Sequence, residues 1–445
     1  MKNHVHIISL GCPKNLVDSE IMAAALTKTG FHLVPEPYAA DIIIVNTCTF
    51  ILPAKEESIE EIFQAARMKA EGRCAYLVVA GCMPQRYGRL LADEMPEVDL
   101  FVGLNDIPHI AELINDMLQG TVRPPRMTTA SFLMNSSHDR VLSHPRHTAY
   151  LKIAEGCSNH CSYCVIPLIR GPLRSRQLDD VIREAETLAA RGVRELILTA
   201  QETTAYGRDG THTPTLATLM KELAALNELR WIRLLYTYPS SITDNLLHVI
   251  ADNEKICNYI DIPIQHIDDA ILLSMNRRGD SALIRQIIDR ARAIIPGVAL
   301  RTSLIVGYPG ETMKIFDALV DFIHEVRFDH LGVFSYSPEE DTPAAAFPGQ
   351  VSEDEKEVRH EIIMEEQALI SYDINQSLIG SVQEVLIEGP SEIPGYAMVG
   401  RAKRQAPDID GVTYINALER PPGAIITCTV IDADEYDLYA DEILE

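Results

Sequence analysis

Residues 150–164 read YLKIAEGCSNHCSYC. A short apolar run at 151–154 breaks at Glu155-Gly156 and runs directly into Cys157, Cys161 and Cys164, spaced by three and then two residues. Three thiolates at that spacing can converge on one centre from a single tight loop. Structural zinc usually takes four ligands in paired C-x-x-C spacing, and no second pair follows here. His160 is adjacent to Cys161 and is poorly placed to reach the same ion. A cluster of iron and sulfur held by three cysteines leaves one iron open to a further ligand, so this chemistry is preferred and a zinc site is the minor alternative.

Working outward from the loop, residues 146–375 carry a regular series of strand and helix patterns. Candidate strands lie at 151–154, 195–199, 232–236, 259–264, 300–306 and 331–336. Helical periodicity fills 179–191, 215–226, 243–253, 282–295 and 314–326; in the first of these Ile182, Ala185, Leu188 and Ala189 share one face. Six such units in order predict a parallel, right-handed, partial (β/α) barrel rather than a closed one of eight. The cysteine loop then sits at the C-terminal end of the first strand, where barrels of this kind place their chemistry.

Residues 1–125 read differently. Nearly continuous β-branched runs at 4–10 (HVHIISL), 42–46 (IIIVN) and 75–80 (AYLVVA) are the pattern of strands buried on both faces of a parallel sheet. The stretch 55–68, with Ile59, Ile62, Phe63 and Ala66 at helical spacing, connects two of them, which predicts an open α/β domain. Each of these strands is followed at once by a cysteine: Cys12, Cys48 and Cys82. In open α/β sheets the C-terminal strand ends share one edge, where ligands bind. A single cysteine there reads as a small buried hydrophobe, but three out of three predict a second three-cysteine site. Cys74, Cys257 and Cys428 lack this context and read as structural.

Residues 126–145 are rich in Pro, Ser and basic residues without periodicity and read as a linker. A charged helix is predicted over 352–378, and residues 376–445 turn to short Val/Ile/Thr/Tyr runs at 383–387, 396–400, 413–415 and 425–431, a small β-barrel. Residues 432–445 hold seven acids and no base and read as a solvated acidic tail.

The 445-residue chain is 47% hydrophobic and 23% charged, the balance of a folded, multi-domain protein. No apolar run is long enough for a membrane helix and the first residues do not read as an export signal, so the cytoplasm is the expected address. Nine cysteines, an odd number, argue against a disulfide framework. The net charge of −25 disfavours avid binding to a polyanion such as RNA and favours a basic partner. Acidity is densest in residues 375–445, at −9.

The Cys157–Cys161–Cys164 loop resembles that of the radical S-adenosylmethionine (SAM) superfamily. The resemblance implies a four-iron cluster whose open iron is chelated by SAM, whose one-electron cleavage gives a deoxyadenosyl radical. Tyr163 matches the aromatic position near the adenine, and Gln201 and Gly307, at strand ends, are further implied SAM contacts. With a first three-cysteine set on an α/β domain and a small C-terminal barrel similar to the TRAM domain, the whole chain resembles the methylthiotransferases. Agreement extends to Glu155-Gly156-Cys157, Arg170-Gly171, Arg174-Ser175-Arg176, residues 261–266 (DIPIQH) and residues 307–312 (GYPGET).

The resemblance implies an auxiliary four-iron cluster on Cys12, Cys48 and Cys82. It further implies methylation of a sulfur there by one SAM, a radical from a second, and an electron donor of flavodoxin or ferredoxin type. Residues 201–207 (QETTAYG) resemble the branch that modifies the β-carbon of an aspartate in small-subunit ribosomal protein uS12, where Gln-Asp-Thr-Thr is usual; Glu202 departs from that form but keeps its charge. An acidic barrel suits a basic ribosomal protein and opposes a tRNA backbone. The runner-up is a tRNA adenosine methylthiotransferase, and a rival of another kind is a non-catalytic iron–sulfur or zinc scaffold. His266 alone among the histidines lies at a barrel strand end, with a site-lining role open to it.

Overall fold

A computed structural model describes residues 3–121, 128–143, 147–210 and 215–444. The first sheet is built from β1 (His4–Ser9), β2 (His32–Leu33), β3 (Ile42–Thr47), β4 (Tyr76–Gly81) and β5 (Leu100–Val102), with α1 (Pro13–Lys28), α2 (Leu52–Ala70), α3 (Cys82–Glu94) and α4 (Ile110–Leu118) between and after them. All pairings are parallel, in the order β2-β1-β3-β4-β5. The period of two explains why β3 is apolar throughout. Ile42 and Ile44 pack with Val17, Ile21 and Ile114 of α1 and α4. Ile43 and Val45 turn the other way, onto Ile62 and Ala65 of α2. The strand order reverses beside β1, so the C-terminal ends of β1, β3 and β4 lie side by side.

The next series runs β6 (Thr148–Lys152), β7 (Ala154–Glu155), α5 (Ile166–Arg170), β8 (Arg174–Ser175), α6 (Leu178–Ala190), β9 (Glu195–Thr199), α7 (Leu216–Ala224) and β10 (Trp231–Leu234). It continues through α8 (Asp244–Ala251), β11 (Tyr259–Asp261), α9 (Asp269–Ser274), α10 (Ser281–Ile294), β12 (Ala299–Val306), α11 (Met313–Val326) and β13 (His330–Ser335). β6, β9 and β10 form one parallel sheet, and β11, β12 and β13 another. The seam between them is closed by Cys257 N–H donating to Ile232 O at 2.9 Å and Thr237 N–H to Asp261 O at 3.1 Å. The result among the described residues is a six-stranded arc in chain order, the partial barrel expected from the periodicity. Its helices pack Val181, Leu219, Ile250, Ile287 and Phe322 against the strands in one continuous core.

α12 (Glu353–Gln376) starts at a Ser352 cap that accepts from Glu355 N–H, then lies along the barrel. Buried Ile363 and Ile370 join the barrel core, and Gln367 Nε2 donates to Phe328 O at 2.8 Å. Five strands close the last unit: β14 (Val382–Pro390), β15 (Met398–Ala402), β16 (Thr413–Asn416), β17 (Ile425–Ala433) and β18 (Leu438–Glu442), in the order β14-β15-β16-β18-β17.

Here the sequence reading needs correction. Residues 432–444 are not a solvated tail; they include the strand that closes the barrel. Leu438 and Ala440 point into it while Tyr439 and Asp441 point out. Asp434 Oδ1 accepts from the backbone of Tyr436 at 2.9 Å and Asp437 at 2.7 Å, and Asp437 Oδ1 accepts from Val412 N–H at 2.7 Å. These carboxylates build a turn, so they are fold elements before they are a charged surface.

The expected linker, 126–145, is described over 128–143; its remaining positions lie outside the described residues. It is a strap between units. Arg140 is buried and bridges Glu20 on α1 and Glu184 on α6, each at 2.6 Å. A second lock joins the small barrel to the large one: Glu195 on β9 is fully buried and holds Arg401 at 2.6 Å and Arg233 at 2.9 Å. Burial pushes the Glu195 carboxyl up, but the two guanidiniums outweigh it and bring it down to about 2. Replacing Glu195 with Ala leaves two buried cations facing each other, an expected loss of about 3–5 kcal/mol read by denaturant titration. Because the folded-state value is depressed, this carboxylate's contribution is complete above pH 4.5 and disappears as pH falls toward 2. The stability gap between the parent and Glu195→Gln should narrow over that window.

Candidate active site

Cys12 caps the N-terminus of α1, Cys48 directly follows β3, and Cys82 opens α3 straight after β4. Three side chains clamp these turns. Asn15 Nδ2 donates to Leu10 O at 2.8 Å and Thr47 O at 3.1 Å, tying the first two strand ends together. Asn46 Nδ2 returns to Asn15 O at 2.8 Å, and Ser58 Oγ bonds both Cys48 N–H and Cys48 O. Gly11 has φ +82°, and a Cβ there would meet Cys48 Cβ at 2.6 Å and Sγ at 2.9 Å. A glycine before Cys12 is therefore what lets Cys48 approach it.

The three thiols feel each other. Burial, with Cys82 and Cys12 as like-charged neighbours, pushes Cys48 up to about 12. Cys82 is likewise raised, first by burial. Cys12 moves the other way: burial raises it, but Lys14 and Arg170 outweigh that and lower it. Cys48 and Cys82 are thus held toward the thiol form, and binding to a positive iron centre would favour their thiolates.

The second set hangs on β7 and α5. Cys157 N–H donates to Gly171 O at 3.0 Å, and Cys164 N–H to Cys161 O at 3.0 Å. Gly156 has φ +79°, and a Cβ would stand 2.1 Å from Pro172 O, so only glycine allows the loop to fold under residues 171–172. Far elements pin the rest. Ser162 N–H reaches Met275 O at 3.0 Å, Ser162 Oγ reaches Ser274 O at 2.6 Å, and Asn276 Nδ2 donates to His160 O at 2.7 Å. Burial, then nearby cysteines, pushes Cys164 up to about 12; burial pushes Cys157 up to about 11.

Among the described residues no three His, Cys, Asp or Glu side chains stand close enough to hold a single metal ion.

A cleft with about 490 Å³ of empty space opens on Cys157; its lining includes Asn159, Glu202, Arg208 and Arg278. Glu202 is buried, accepts from Ser241 Oγ at 2.9 Å, and bonds Asn159 Nδ2. The QETT stretch is thereby hooked to the cysteine loop. Tyr163 lies behind the loop, its hydroxyl accepting from Arg277 Nη1 at 3.2 Å. Gln201 Nε2 donates to Glu155 Oε1 at 2.5 Å, and a Cβ on Gly307 would meet Lys356 Cγ at 2.2 Å. None of Tyr163, Gln201 and Gly307 is in the lining of that cleft. His266 is buried, with Nδ1 accepting from Ile267 and Asp268 N–H, each at 2.9 Å.

Cys82 of the first set borders the segment that follows the second. It packs with Val165 and Ile169, which follow Cys164. Arg170, Lys152, Asp18 and Glu155 form a buried charged bridge across the domain interface: Lys152 Nζ to Asp18 at 2.6 Å and Glu155 at 2.9 Å, Arg170 to Asp18 at 3.0 Å and Glu155 at 3.1 Å.

Comparison with known proteins accounts for this layout. The uncharacterized protein family UPF0004 matches residues 4–103, the radical SAM superfamily residues 151–323, and the TRAM domain residues 379–443. The ribosomal protein uS12 methylthiotransferase RimO of Syntrophus aciditrophicus is 59% identical over 444 residues, 99% of this chain and 98% of that protein. Its namesake in Geobacter sulfurreducens is 50% identical over 442 residues, 99% of each. The chain belongs to the uS12 methylthiotransferase family. As a uS12 methylthiotransferase family member it is a radical-SAM enzyme, with SAM and an iron–sulfur cluster as cofactors. Among solved structures, the radical SAM methyltransferase TsrM from Kitasatospora setae matches with TM-score 0.55 at 17% identity, covering 77% of this chain and 74% of that one. The cobalamin-dependent SAM radical enzyme OxsB matches at TM-score 0.51 and 13% identity, over 82% of this chain and 56% of that one. At such identities the likeness is one of fold.

For a uS12 methylthiotransferase family member, the residues that the sequence reading missed are the clamps and the bridge: Asn15, Asp18, Asn46 and Lys152. One signal was available. Lys152 interrupts an apolar strand, and a lysine there must find a buried carboxylate.

Proposed function

We propose that this protein adds a methylthio group to the β-carbon of an aspartate in uS12, with four-iron clusters on Cys157, Cys161 and Cys164 and on Cys12, Cys48 and Cys82. The observation that carries this reading is that Cys82 of one three-cysteine set packs with Val165 and Ile169, in the segment that follows Cys164 of the other. When bound, the clusters and SAM supply the sulfur, the methyl group and a one-electron cleavage that yields a hydrogen-abstracting radical. The chain's own residues orient and enclose. Gly11 and Asn15 hold the first three thiols at one edge. Gly156, Ser162 and Asn276 fix the second loop. The cleft beside Cys157 is lined by Arg208 and Arg278 together with Glu202 and Asp209, so it offers guanidinium donors to a carboxylate, whether of SAM or of the target aspartate, within a lining balanced in charge. Tyr163, Gln201 and Gly307 would support SAM from outside the lining of that cleft, Gln201 through its bond to Glu155.

Charge supports a basic protein as the partner. The C-terminal barrel has a net charge of −9 over 375–445, which speeds encounter with a cationic surface and repels tRNA. The test is the intact mass of uS12 from cells with and without this protein. A methylthio gain on one aspartate, present only with the protein, is expected. An unmodified uS12 together with a methylthiolated tRNA adenosine would sink the assignment.

A further inference from the structure

Arg170 is buried, and its guanidinium is divided among three kinds of acceptor. Nη1 donates to both oxygens of Glu155 at 3.1 Å. Nη2 donates to Asp18 Oδ2 at 3.0 Å, Asn15 Oδ1 at 3.1 Å and Cys82 Sγ at 3.4 Å. With Lys152 the bridge holds two cations and two carboxylates, so it is neutral before any cysteine charge is counted. A bridge whose only task were to join two domains would be complete without the sulfur. Instead an Nη2 N–H is shared with Cys82 Sγ.

The backbone reinforces the point. Arg170 ends α5, which begins two residues after Cys164, and its partner Glu155 lies two residues before Cys157. The guanidinium is thus fixed to both ends of one cysteine loop while it touches a thiol of the other set. Hydrogen bonds and positive charge at a cluster's sulfur ligand stabilise the reduced form and raise its potential.

We propose that Arg170 is a positioning residue that acts through Cys82: it raises the reduction potential of the group held by Cys12, Cys48 and Cys82 and locks that site in register with the Cys157–Cys161–Cys164 loop. The inference rests on the two-site reading above. The test uses the full chain with Cys157, Cys161 and Cys164 replaced by Ala, reconstituted anaerobically with iron and sulfide, so that only the N-terminal site is observed. Its midpoint potential is read from the EPR signal of the reduced state during a redox titration.

Adding Arg170→Gln should move the midpoint to a more negative value and alter the EPR line shape. Arg170→Lys, which keeps the charge but loses the fork, should give a smaller shift in the same direction. Removing Arg170 alone unbalances buried Asp18 and Glu155, so Asp18→Asn with Arg170→Gln provides a neutral bridge that preserves folding. Measured against Asp18→Asn alone, which accounts for the lost carboxylate, it should show the negative shift, with a melting temperature near that of the background. An unchanged or more positive midpoint in the folded double variant overturns the inference while leaving the two-site reading intact. A folded background protein without iron overturns that reading and the inference with it.

Discussion

Protein in which Cys12, Cys48 and Cys82 are all alanine is expected to cleave SAM reductively to deoxyadenosine at close to the parent rate, yet to form no methylthiolated uS12. The argument is one of separation. These three side chains belong to the ends of β1, β3 and β4, whereas the contacts that shape the Cys157–Cys161–Cys164 loop come from the barrel, among them Gly171, Ser274, Met275 and Asn276. Removing three small side chains from turns held by Asn15, Asn46 and Ser58 leaves those clamps in place, since the bonds that tie the strand ends run to the backbone and Asn15 Oδ1, which Cys82 Sγ meets at 3.9 Å, keeps Arg170 as a donor. Iron content should fall by roughly half, as expected when one of two similar clusters is lost. Deoxyadenosine is measured by chromatography and uS12 by intact mass. Undiminished product from the triple variant would remove the N-terminal cysteines from the chemistry.

The parts of this molecule legible in the sequence are those where periodicity and burial coincide. The runs at 42–46 and 75–80 read as doubly buried strands because α1 and α2 cover opposite faces of the sheet. The helices of the barrel follow their apolar stripes to within a residue or two, as with Leu178–Ala190. What escaped were elements too short to show a period, such as His32–Leu33, Leu100–Val102 and Asp269–Ser274. The closing strand Leu438–Glu442 was hidden for a different reason. Its outward positions are acidic, so charge density masked the alternation of Leu438 and Ala440. At the candidate site, strand ends and spacing single out both sets of cysteines, and the structure puts Cys12, Cys48 and Cys82 just after β1, β3 and β4. The buried bridge of Arg170, Lys152, Asp18 and Glu155 could not be singled out in this way, because it exists only once two distant segments are docked, and no local pattern encodes a partner more than a hundred residues away.

The complementary variant, with Cys157, Cys161 and Cys164 replaced by Ala, is expected to form no deoxyadenosine at all while keeping roughly half the iron. Loss is complete rather than partial because the loop offers no substitute ligand. His160 is exposed, and its backbone carbonyl is held by Asn276. The three remaining cysteines, Cys74, Cys257 and Cys428, are buried in other cores. The retained iron follows from geometry on the other side of the interface. Cys12, Cys48 and Cys82 take their spacing from β1, β3 and β4 and from Gly11, none of which depends on residues 157–164. Arg170 stays anchored through Glu155 and Asp18, so the cation beside Cys82 also survives. The measurement is iron per chain alongside a melting curve, with deoxyadenosine read after anaerobic reduction. A folded triple variant that retains no iron would show that the two cysteine sets are parts of a single site, and the assignment of two clusters would fall.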